Sequence, residues 1–380
     1  PKALKRKLLN TVSQIRKELP KHTADPKRDF KRNRKLPFET LCKTILFMSG
    51  QSLNVELQRQ FHYDPTAATT SAFVQQRGKL LPTAFEEILR RFTYQNRPIR
   101  RWNGYTLLAA DGSHVQIPSD IHDKVTYFNS TKDGRGYNLL HLNALYDLES
   151  QVYLDAIIQD GREEHESQAL VELVDRSELT EPVILVADRG YEAYNNMAHI
   201  EQKGWKYLIR VKDKQGLLSG LRLTGAPEFD AAFSYSLSKR LTNRIRQEPH
   251  KYRWIPKKAH FDYIGDASDA LYPISFRVVR FAVKEGLYET VITNLPADRF
   301  PPPLLRELYH KRWGIETSFR DLKYTLALTH FHAKKRPFIK QEIFSRMTLY
   351  NFASLLRLHA VFTQPEGKHL YRIKIGRASC

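Results

Sequence analysis

Two aspartates that follow apolar runs are the first residues whose setting suggests chemistry. Asp111 follows Leu107–Ala110, and Asp188 follows Val183–Ala187. Buried strands that end in a carboxylate place it in the crevice where α/β sheets bind ligands. Because Asp-Gly is also an ordinary turn signal, each aspartate alone is weak evidence. The pair, on similar strands, indicates a shared site.

A third acid lies on a helix predicted to begin after three consecutive prolines, 301–303, which suit a helix start. One tyrosine and three charged residues of this helix are spaced so that, at about 100° per residue, they fall within an arc of roughly 60°. The alternative is a solvated face with an Arg312–Glu316 pair that contributes about 0.5 kcal/mol at most. The residues on this arc are Tyr309, Arg312, Glu316 and Lys323.

Three carboxylates from two strand ends and one helix suit a particular reaction. Cleavage and transfer of a phosphodiester need an activated oxygen nucleophile and a stabilised leaving oxygen. Two Mg²⁺ ions about 3.5–4 Å apart supply both, and Mg²⁺ prefers carboxylate oxygens. Arg312 and Lys323 can then grip backbone phosphates, while Tyr309 donates to a phosphate oxygen or stacks on a base.

The elements that must position these residues follow from hydrophobic periodicity. The N-terminal region reads as helical, and from Tyr105 strands alternate with helices, which predicts a mixed sheet with helices packed on it. We predict helices at 3–18, 38–48, 55–61, 71–76, 84–92, 164–176, 193–203, 304–324 and 338–358. We predict strands at 105–110, 138–146, 151–158, 183–187, 205–211, 229–237, 274–283 and 288–293, with the second and third antiparallel.

These elements divide the chain into five predicted segments. They are a basic, helical DNA-binding domain at 1–95, the first part of a catalytic domain at 96–211, a β-rich insertion at 212–300, catalytic-domain helices carrying Glu316 at 301–365, and a tail at 366–380. The chain begins at Pro1, and Ile375–Cys380 matches one reading frame of a common sequencing adapter. We therefore expect 375–380 to be non-native and both ends to be incomplete.

Charge indicates the partner. The chain has 61 basic and 41 acidic residues, a net charge of +20 and a pI of about 9.8. Release of counterions makes nucleic acid the leading candidate, with ribosome association and simple solubility as alternatives. Residues 1–40 are rich in Lys and Arg, as in a DNA-touching arm or a solvated basic face. No apolar run approaches the ~20 residues of a membrane span.

Cysteine usage fits a reducing cytoplasm. Cys42 and Cys380 cannot build a disulfide framework, and Cys42 lies in an apolar run, as a buried small hydrophobe would.

The motif around Glu316 resembles DDE transposases of the bacterial insertion-sequence-four family, whose signature is Tyr-x2-Arg-x3-Glu-x6-Lys. Tyr309, Arg312, Glu316 and Lys323 match it without a gap. Ser113 stands where Thr is commoner in the family. The resemblance covers about residues 30–365 and extends to the motifs at 111–113, 188–191, 293–296 and 341–344.

This resemblance implies a ribonuclease H-like α/β fold with a helical N-terminal domain and a β-rich insertion. It implies that Asp111, Asp188 and Glu316 are the catalytic, metal-binding triad for Mg²⁺ or Mn²⁺, with two ions expected. Tyr309, Arg312 and Lys323 would contact DNA near the scissile phosphate. The implied partners are transposon terminal inverted repeats, target DNA and a second copy in a homodimer or higher assembly, in the bacterial cytoplasm at the nucleoid and with no membrane partner.

Three hypotheses for function follow. The first is an enzyme that cleaves transposon ends and transfers the 3′-hydroxyl strand into target DNA. The second is a domesticated or decayed transposase that only binds DNA. The third, a host nuclease on the same fold, is disfavoured by the Tyr, Arg and Lys spacing.

Other polar and aromatic residues are interpreted as structural. His330, His332 and His359 fit no zinc spacing, which favours helix capping or phosphate contact. Acidic residues around His165 are expected to favour a helix dipole: Glu163, Glu164 and Glu166. Tryptophans are expected to be packing residues, although in the family an aromatic of the insertion can accept a flipped base: Trp102, Trp205 and Trp254.

Overall fold

A computed structural model describes residues 1–32, 35–129, 134, 136–213, 216–221 and 223–359 of this chain. The predicted tail, including 375–380, and the side chain of His359 lie outside the described residues. The chain forms two compact units. The first contains 1–100, 112–164 and 316–380, and the second contains 101–111 and 165–315.

The described residues form ten strands and eleven α-helices. The helices are α1 (Lys2–Arg16), α2 (Phe38–Phe47), α3 (Leu53–Gln60), α4 (Thr70–Arg77), α5 (Thr83–Asn96), α6 (Glu166–Asp175), α7 (Tyr194–Gln202), α8 (Asn243–Gln247), α9 (Pro302–Lys311), α10 (Trp313–Arg320) and α11 (Arg336–His359). The strands are β1 (Thr106–Ile117), β2 (Tyr127–Phe128), β3 (Tyr137–Asp147), β4 (Val152–Asp160), β5 (Val183–Ala187), β6 (Lys206–Arg210), β7 (Phe229–Ser238), β8 (Tyr252–Trp254), β9 (Tyr272–Lys284) and β10 (Leu287–Thr293).

In the first unit, α11 is the helix around which other elements pack. It contacts α2, α5 and β4. Asn351 joins two of these elements: its amide nitrogen donates to Thr93 Oγ1 at 2.6 Å and to the Tyr153 carbonyl at 2.7 Å. Its carbonyl oxygen accepts the Tyr153 N–H at 2.8 Å. A buried polar side chain is tolerated here because all these groups are satisfied.

A buried ion pair also ties α4 to α11 in the first unit. The Arg77 guanidinium donates to Gln341 Oε1 at 2.7 Å, Glu342 Oε1 at 2.9 Å and the Phe338 carbonyl at 2.6 Å. Burial raises the pKa of Glu342, but hydrogen bonds from His332 and the charge of Arg77 outweigh it, so the net pKa is lowered. The pair is therefore ionised within the core.

The strands of the first unit include an antiparallel set. β3 pairs with β4 from Leu140↔Asp160 to Asp147↔Val152, and β2 pairs with β3. In the second unit the strand order is β1-β5-β6-β10-β9-β7-β8. There β5 runs parallel to β1 and β6, whereas β10 is antiparallel to β6 and β9. The expected α/β, ribonuclease H-like mixed sheet with flanking helices is confirmed.

Most predicted elements are confirmed to within a few residues, but two are wrong in detail. β1 does not end at Asp111; it runs on to Ile117, with Val115 and Ile117 buried and His114 and Gln116 exposed. This alternation of burial is the strand period of two, which the Asp-Gly turn signal concealed. The domain boundaries given above stay a prediction.

The predicted helix 304–324 is interrupted. α9 ends at Lys311, α10 begins at Trp313, and a π-helical turn follows at Asp321–Thr325. At the break the N–H of Arg312 bonds the Tyr309 carbonyl and that of Ile315 bonds Arg312, both three residues back. Because a π turn is wider than an α turn, 100° per residue does not hold as far as Lys323.

None of the helices in the described part of the chain has both the length and the apolar character that a bilayer span requires.

Candidate active site

Adjacent parallel strands bring the two predicted aspartates to one end of the second unit's sheet. β1 and β5 pair from Thr106↔Val183 to Ala110↔Ala187, and Asp111 and Asp188 each follow that last pair. The apolar residues before them are fully buried on both strands. Because such runs are stable only inside the core, the first polar residue after each run lies at the same edge of that core.

Helix α9 and the residue after it carry two further predicted site residues to these carboxylates. The Tyr309 hydroxyl donates to Asp188 Oδ1 at 3.4 Å, and Arg312 Nη1 lies 3.7 Å from Asp111 Oδ2. The Arg312 guanidinium also stands over the Tyr309 ring, 5.5 Å from its centroid. α9 is anchored by buried Leu305 and Leu308.

Burial controls the protonation of the phenols at this site. Burial raises the pKa of Tyr309 to about 12; Arg312 opposes this rise and Asp188 adds to it. Burial also raises the pKa of Tyr191, with further contributions from the charges of Glu166, Asp111 and Asp188. Both phenols therefore keep their protons at neutral pH, and the Tyr309 hydroxyl can donate to Asp188.

A cleft of about 930 Å³ opens beside Asp188 within the second unit. Its charged lining is mixed: basic side chains stand beside acidic ones. Asp188 Oδ1 accepts the N–H of Arg189 at 2.7 Å, which holds the carboxylate at the start of a short 3-10 turn. The charged lining residues are Asp188, Arg189, Glu192, Arg210, Lys212, Asp213 and Glu289.

The remaining two predicted site residues belong to the first unit. Lys323 Nζ donates to Ser113 Oγ at 2.8 Å, and burial lowers the Lys323 pKa. Glu316 lies in α10, one residue after the end of the second unit. The triad of Asp111, Asp188 and Glu316 as a whole stays a prediction.

Glu166 is a carboxylate near the aspartates that sequence reasoning did not place there. Its position in the first turn of α6 agrees with the helix-dipole interpretation. However, a Cβ added at Gly190 would lie 2.8 Å from Glu166 Oε2, and its charge raises the Tyr191 pKa. No sequence spacing indicates this proximity, because it depends on how α6 packs beside the loop after β5.

The two C-terminal histidines whose side chains the structure describes, His330 and His332, have different surroundings. His332 Nδ1 lies 3.3 Å from Glu342 Oε2 and its Nε2 lies 3.0 Å from the Gln51 carbonyl, so its ring is occupied within the first unit. A phosphate contact by His332 is therefore wrong, since the ring is nearly buried. His330 is exposed and contacts Thr329 Oγ1 at 3.1 Å.

Sequence reasoning missed a different histidine group. Among the described residues, His114, His141 and Glu164 form the cluster with metal-ligand proximity. The helix-dipole interpretation of Glu163 and Glu164 is wrong, because α6 begins only at Glu166.

The tryptophans divide by environment. Trp205 is buried, and Trp102 packs against Phe300 with ring centroids 6.4 Å apart, as expected for packing residues. Trp254 is exposed on β8, where its Nε1 donates to the Lys239 carbonyl at 3.3 Å, so it is not a core residue.

The donor set of the two aspartates fits a hard divalent cation. Both present only carboxylate oxygens, and the Asp111 side chain is 21% exposed. Mg²⁺ takes one or two protein carboxylates and keeps several waters, which requires such partly open acids. Asp111 and Asp188 therefore fit Mg²⁺ better than a thiophilic or imidazole-seeking metal.

Comparison with known proteins shows the family of this chain. The family model described as transposase DDE domain matches residues 102–352. Among solved structures, the chain is similar to a piggyBac transposase synaptic complex with hairpin DNA: 9% identity, TM-score 0.45, covering 86% of this chain and 68% of that one. None of the curated proteins compared matches. Because the family match covers more than half of the 380 residues, the chain belongs to the transposase DDE domain family.

Proposed function

We propose that this protein is a transposase of the insertion-sequence-four family. It cleaves DNA at transposon ends in a Mg²⁺-dependent reaction and joins the released 3′-hydroxyl end to target DNA. The observation that carries the proposal is that Asp111 and Asp188 both follow the last residue pair of β1 and β5, with Tyr309 and Arg312 in contact with these carboxylates. The family membership and the net charge of +20 support it.

In this proposal Asp111, Asp188 and Glu316 are the carboxylates that hold two Mg²⁺ or Mn²⁺ ions. When bound, such ions activate the attacking oxygen and stabilise the leaving oxygen. The role of Glu316 rests on the signature spacing and on its place four residues after Arg312.

Three side chains are proposed to bind the DNA around the scissile phosphate. Tyr309, with a pKa of about 12, keeps its proton and donates to a phosphate oxygen. Arg312 grips a phosphate through its planar fork, and Lys323 contributes a point charge. Arg312 lies close to Asp111, so it can hold the phosphate next to the carboxylate that binds metal.

The wider assignments belong to the same proposal. The DNA partners are the terminal inverted repeats and the target, the working assembly is a homodimer or larger, and the reaction takes place on DNA in the bacterial cytoplasm. The basic segment 1–95 serves DNA binding, and 212–300 serves as the β-rich insertion of a catalytic domain formed by 96–211 and 301–365.

End cleavage tests the proposal directly. The full chain is incubated with DNA that carries the repeats flanking its gene, at graded Mg²⁺. We expect nicking that depends on Mg²⁺ and is abolished in Asp111→Asn, Asp188→Asn and Glu316→Gln, while repeat binding is retained. Asp269→Asn is the matched control, because Asp269 is 75% exposed and pairs with Arg240 outside the site. Full activity in one of the three variants removes that residue from the triad.

The second candidate is a domesticated or decayed transposase that only binds DNA. The exposed basic residues of segment 1–40 favour binding as much as catalysis. Specific repeat binding by the wild type without nicking at any Mg²⁺ or Mn²⁺ concentration supports this candidate and contradicts the first.

A further inference from the structure

Two histidines and a glutamate converge in the first unit, among residues that the proposed transposition chemistry does not use. Glu164 Oε2 lies 2.7 Å from His114 Nε2 and 3.2 Å from His141 Nδ1. All three ligand atoms lie within 4.8 Å of one another. The two imidazole rings meet edge to face, with centroids 4.8 Å apart.

Three separate elements supply these side chains. His114 lies on the exposed side of β1's second half, and His141 lies on β3 opposite Gln159 of β4. Glu164 follows β4 on the loop that leads to α6. His141 is 3% exposed, whereas His114 and Glu164 are 49% and 38% exposed. The cluster therefore has one buried donor and an open side toward solvent.

The loop that carries Glu164 is held in place. The Gly161 N–H donates to the Leu139 carbonyl at 3.1 Å, and the Arg162 N–H donates to the Val125 carbonyl at 3.0 Å. The Arg162 guanidinium also stands 4.7 Å from the centroid of the Phe128 ring. Because these contacts fix the chain just before Glu164, the carboxylate is presented to the histidines without a large ordering cost.

The donor set selects the class of metal. Two imidazole nitrogens and one carboxylate oxygen suit Zn²⁺ and neighbouring first-row metals, not Mg²⁺ or Ca²⁺. With metal–ligand distances of about 2.0–2.1 Å, tetrahedral ligand atoms lie about 3.3–3.4 Å apart. The 3.2 Å separation is close to that spacing, the 2.7 Å separation is shorter, and all three ligand atoms lie within 4.8 Å, so small side-chain shifts bring them to it. Three protein ligands on a partly exposed cluster leave a fourth position for water.

We propose that His114, His141 and Glu164 form a Zn²⁺ site that joins β1, β3 and the loop after β4. The site is separate in its residues and its chemistry from the carboxylates proposed to bind Mg²⁺. Bound Zn²⁺ would link the loop after β4 to β1 and β3. Because the unfolded chain lacks this site, Zn²⁺ binding would stabilise the folded chain.

Zinc binding to the full chain tests the proposal without any DNA or activity. Protein freed of metal by a chelator is titrated with ZnCl₂ in competition with a chromophoric chelator, and separately with Co²⁺, whose visible absorption reports tetrahedral nitrogen and oxygen ligation. We expect one equivalent of Zn²⁺ and a higher melting temperature on its addition. His114→Ala and Glu164→Gln should each lower the Zn²⁺ affinity at least about tenfold.

Two controls make the result specific. His250→Ala, at an exposed histidine outside the cluster, should bind Zn²⁺ as the wild type does. Asp111→Asn should also bind it as the wild type does, which separates this site from the proposed catalytic one. His114 and Glu164 are chosen over buried His141 because their replacement leaves the core intact, which circular dichroism verifies.

Failure of the wild type to bind Zn²⁺ at about 100-fold excess overturns the proposal, and so does wild-type affinity in both His114→Ala and Glu164→Gln. In that case the cluster is a hydrogen-bonded His–Glu–His group. Neither outcome bears on the proposed transposase activity. That activity is tested separately, by end cleavage with the Asp111→Asn and Asp188→Asn variants.

Discussion

At the scale of single residues, Asp111 and Asp188 each have a close partner side chain. The geometry of these partners limits which residues can replace Arg312 and Tyr309. Arg312 combines a charge 3.7 Å from Asp111 with a stacked position over Tyr309. Tyr309 adds a hydroxyl within reach of Asp188. A guanidinium is the one basic group that can stack on a ring and present a planar fork to a phosphate.

Arg312→Lys tests that geometry while keeping the charge. We expect a fall of about 10²-fold in the cleavage rate, since a lysine loses both the fork and the stacking while remaining a cation. Single-turnover nicking at saturating Mg²⁺ measures it. Arg306→Lys, on an exposed position of α9, is the matched control and should cleave at the wild-type rate. Equal rates in both variants would show that only charge matters at Arg312.

At the scale of elements, close backbone approach and a buried ion pair decide how the strands and helices of the first unit join. Gly161 lies where a Cβ would stand 2.7 Å from the Leu139 carbonyl oxygen of β3. Arg77 and Glu342 lie between α4 and α11 with almost no exposure. Substitutions at Gly161, Arg77 or Glu342 should therefore be destabilising. Neither the Leu139 backbone nor a buried charge can move away without a large cost in free energy.

Gly161→Ala should destabilise the chain by about 1–3 kcal/mol, because the new methyl group meets backbone and not the end of a flexible side chain. Urea unfolding followed by circular dichroism measures the free energy. Gly50→Ala is the control, since a Cβ there meets nothing within 4 Å. Gly161→Ala should also weaken Zn²⁺ binding, because Gly161 precedes Glu164 on the same loop. An unchanged Zn²⁺ affinity would show that this loop does not position the Glu164 carboxylate.

Glu342→Gln should destabilise the chain by about 3–5 kcal/mol at pH 7, because it leaves Arg77 charged and buried beside a neutral amide. The pKa of Glu342 is lowered below its ordinary 4.5. Its ionised form therefore stabilises the fold fully above about pH 4.5, and this contribution is lost as the pH falls through the folded-state pKa.

Free energies of unfolding measured from pH 7 down to pH 3 check both the destabilisation at pH 7 and its dependence on pH. The difference between wild type and Glu342→Gln should shrink as the pH falls below 4.5. Glu39→Gln breaks the exposed Arg16–Glu39 pair and should cost less than about 1 kcal/mol at every pH. A constant difference across the range would mean that folding does not lower the pKa of Glu342.

At the scale of the whole molecule, the net charge of +20 is the feature that most constrains the partner. Basic residues exposed in segment 1–32 include several that lie outside any helix, among them Lys27, Arg28 and Lys31. Each one that contacts a phosphate releases counterions, so affinity for DNA should fall steeply with salt.

The triple variant Lys27→Gln, Arg28→Gln and Lys31→Gln should reduce the slope of log affinity against log salt by up to about 3, roughly one per lost phosphate contact. Fluorescence anisotropy with repeat DNA, at salt concentrations from about 50 to about 200 mM, measures the slope. The charge-matched control is Lys257→Gln, Lys258→Gln and Lys284→Gln, which are also exposed. Equal loss of slope in both triples would mean that DNA does not prefer the N-terminal segment.

Much of the fold was predictable because local patterns carried it. The buried strand β5 coincides with its predicted bounds, and α2, β3 and α11 differ from theirs by a residue or two, since each has a clear period or a continuous apolar run. The end of β1 was not predictable from the turn signal at Asp111-Gly112, because strand pairing continued the strand through it. The break at Arg312 and the π turn after it also lack a decisive local signal.

The sequence by itself determined the two apolar runs that precede Asp111 and Asp188, the order and spacing of Tyr309, Arg312, Glu316 and Lys323, and the excess of positive charge. These are properties of composition and of neighbours along one element. Only the tertiary structure decided that Arg312 lies against Asp111, that Glu166 lies beside Gly190, and that His114, His141 and Glu164 meet. Such meetings join residues far apart in sequence, and they follow from strand register and helix packing, which no local spacing encodes.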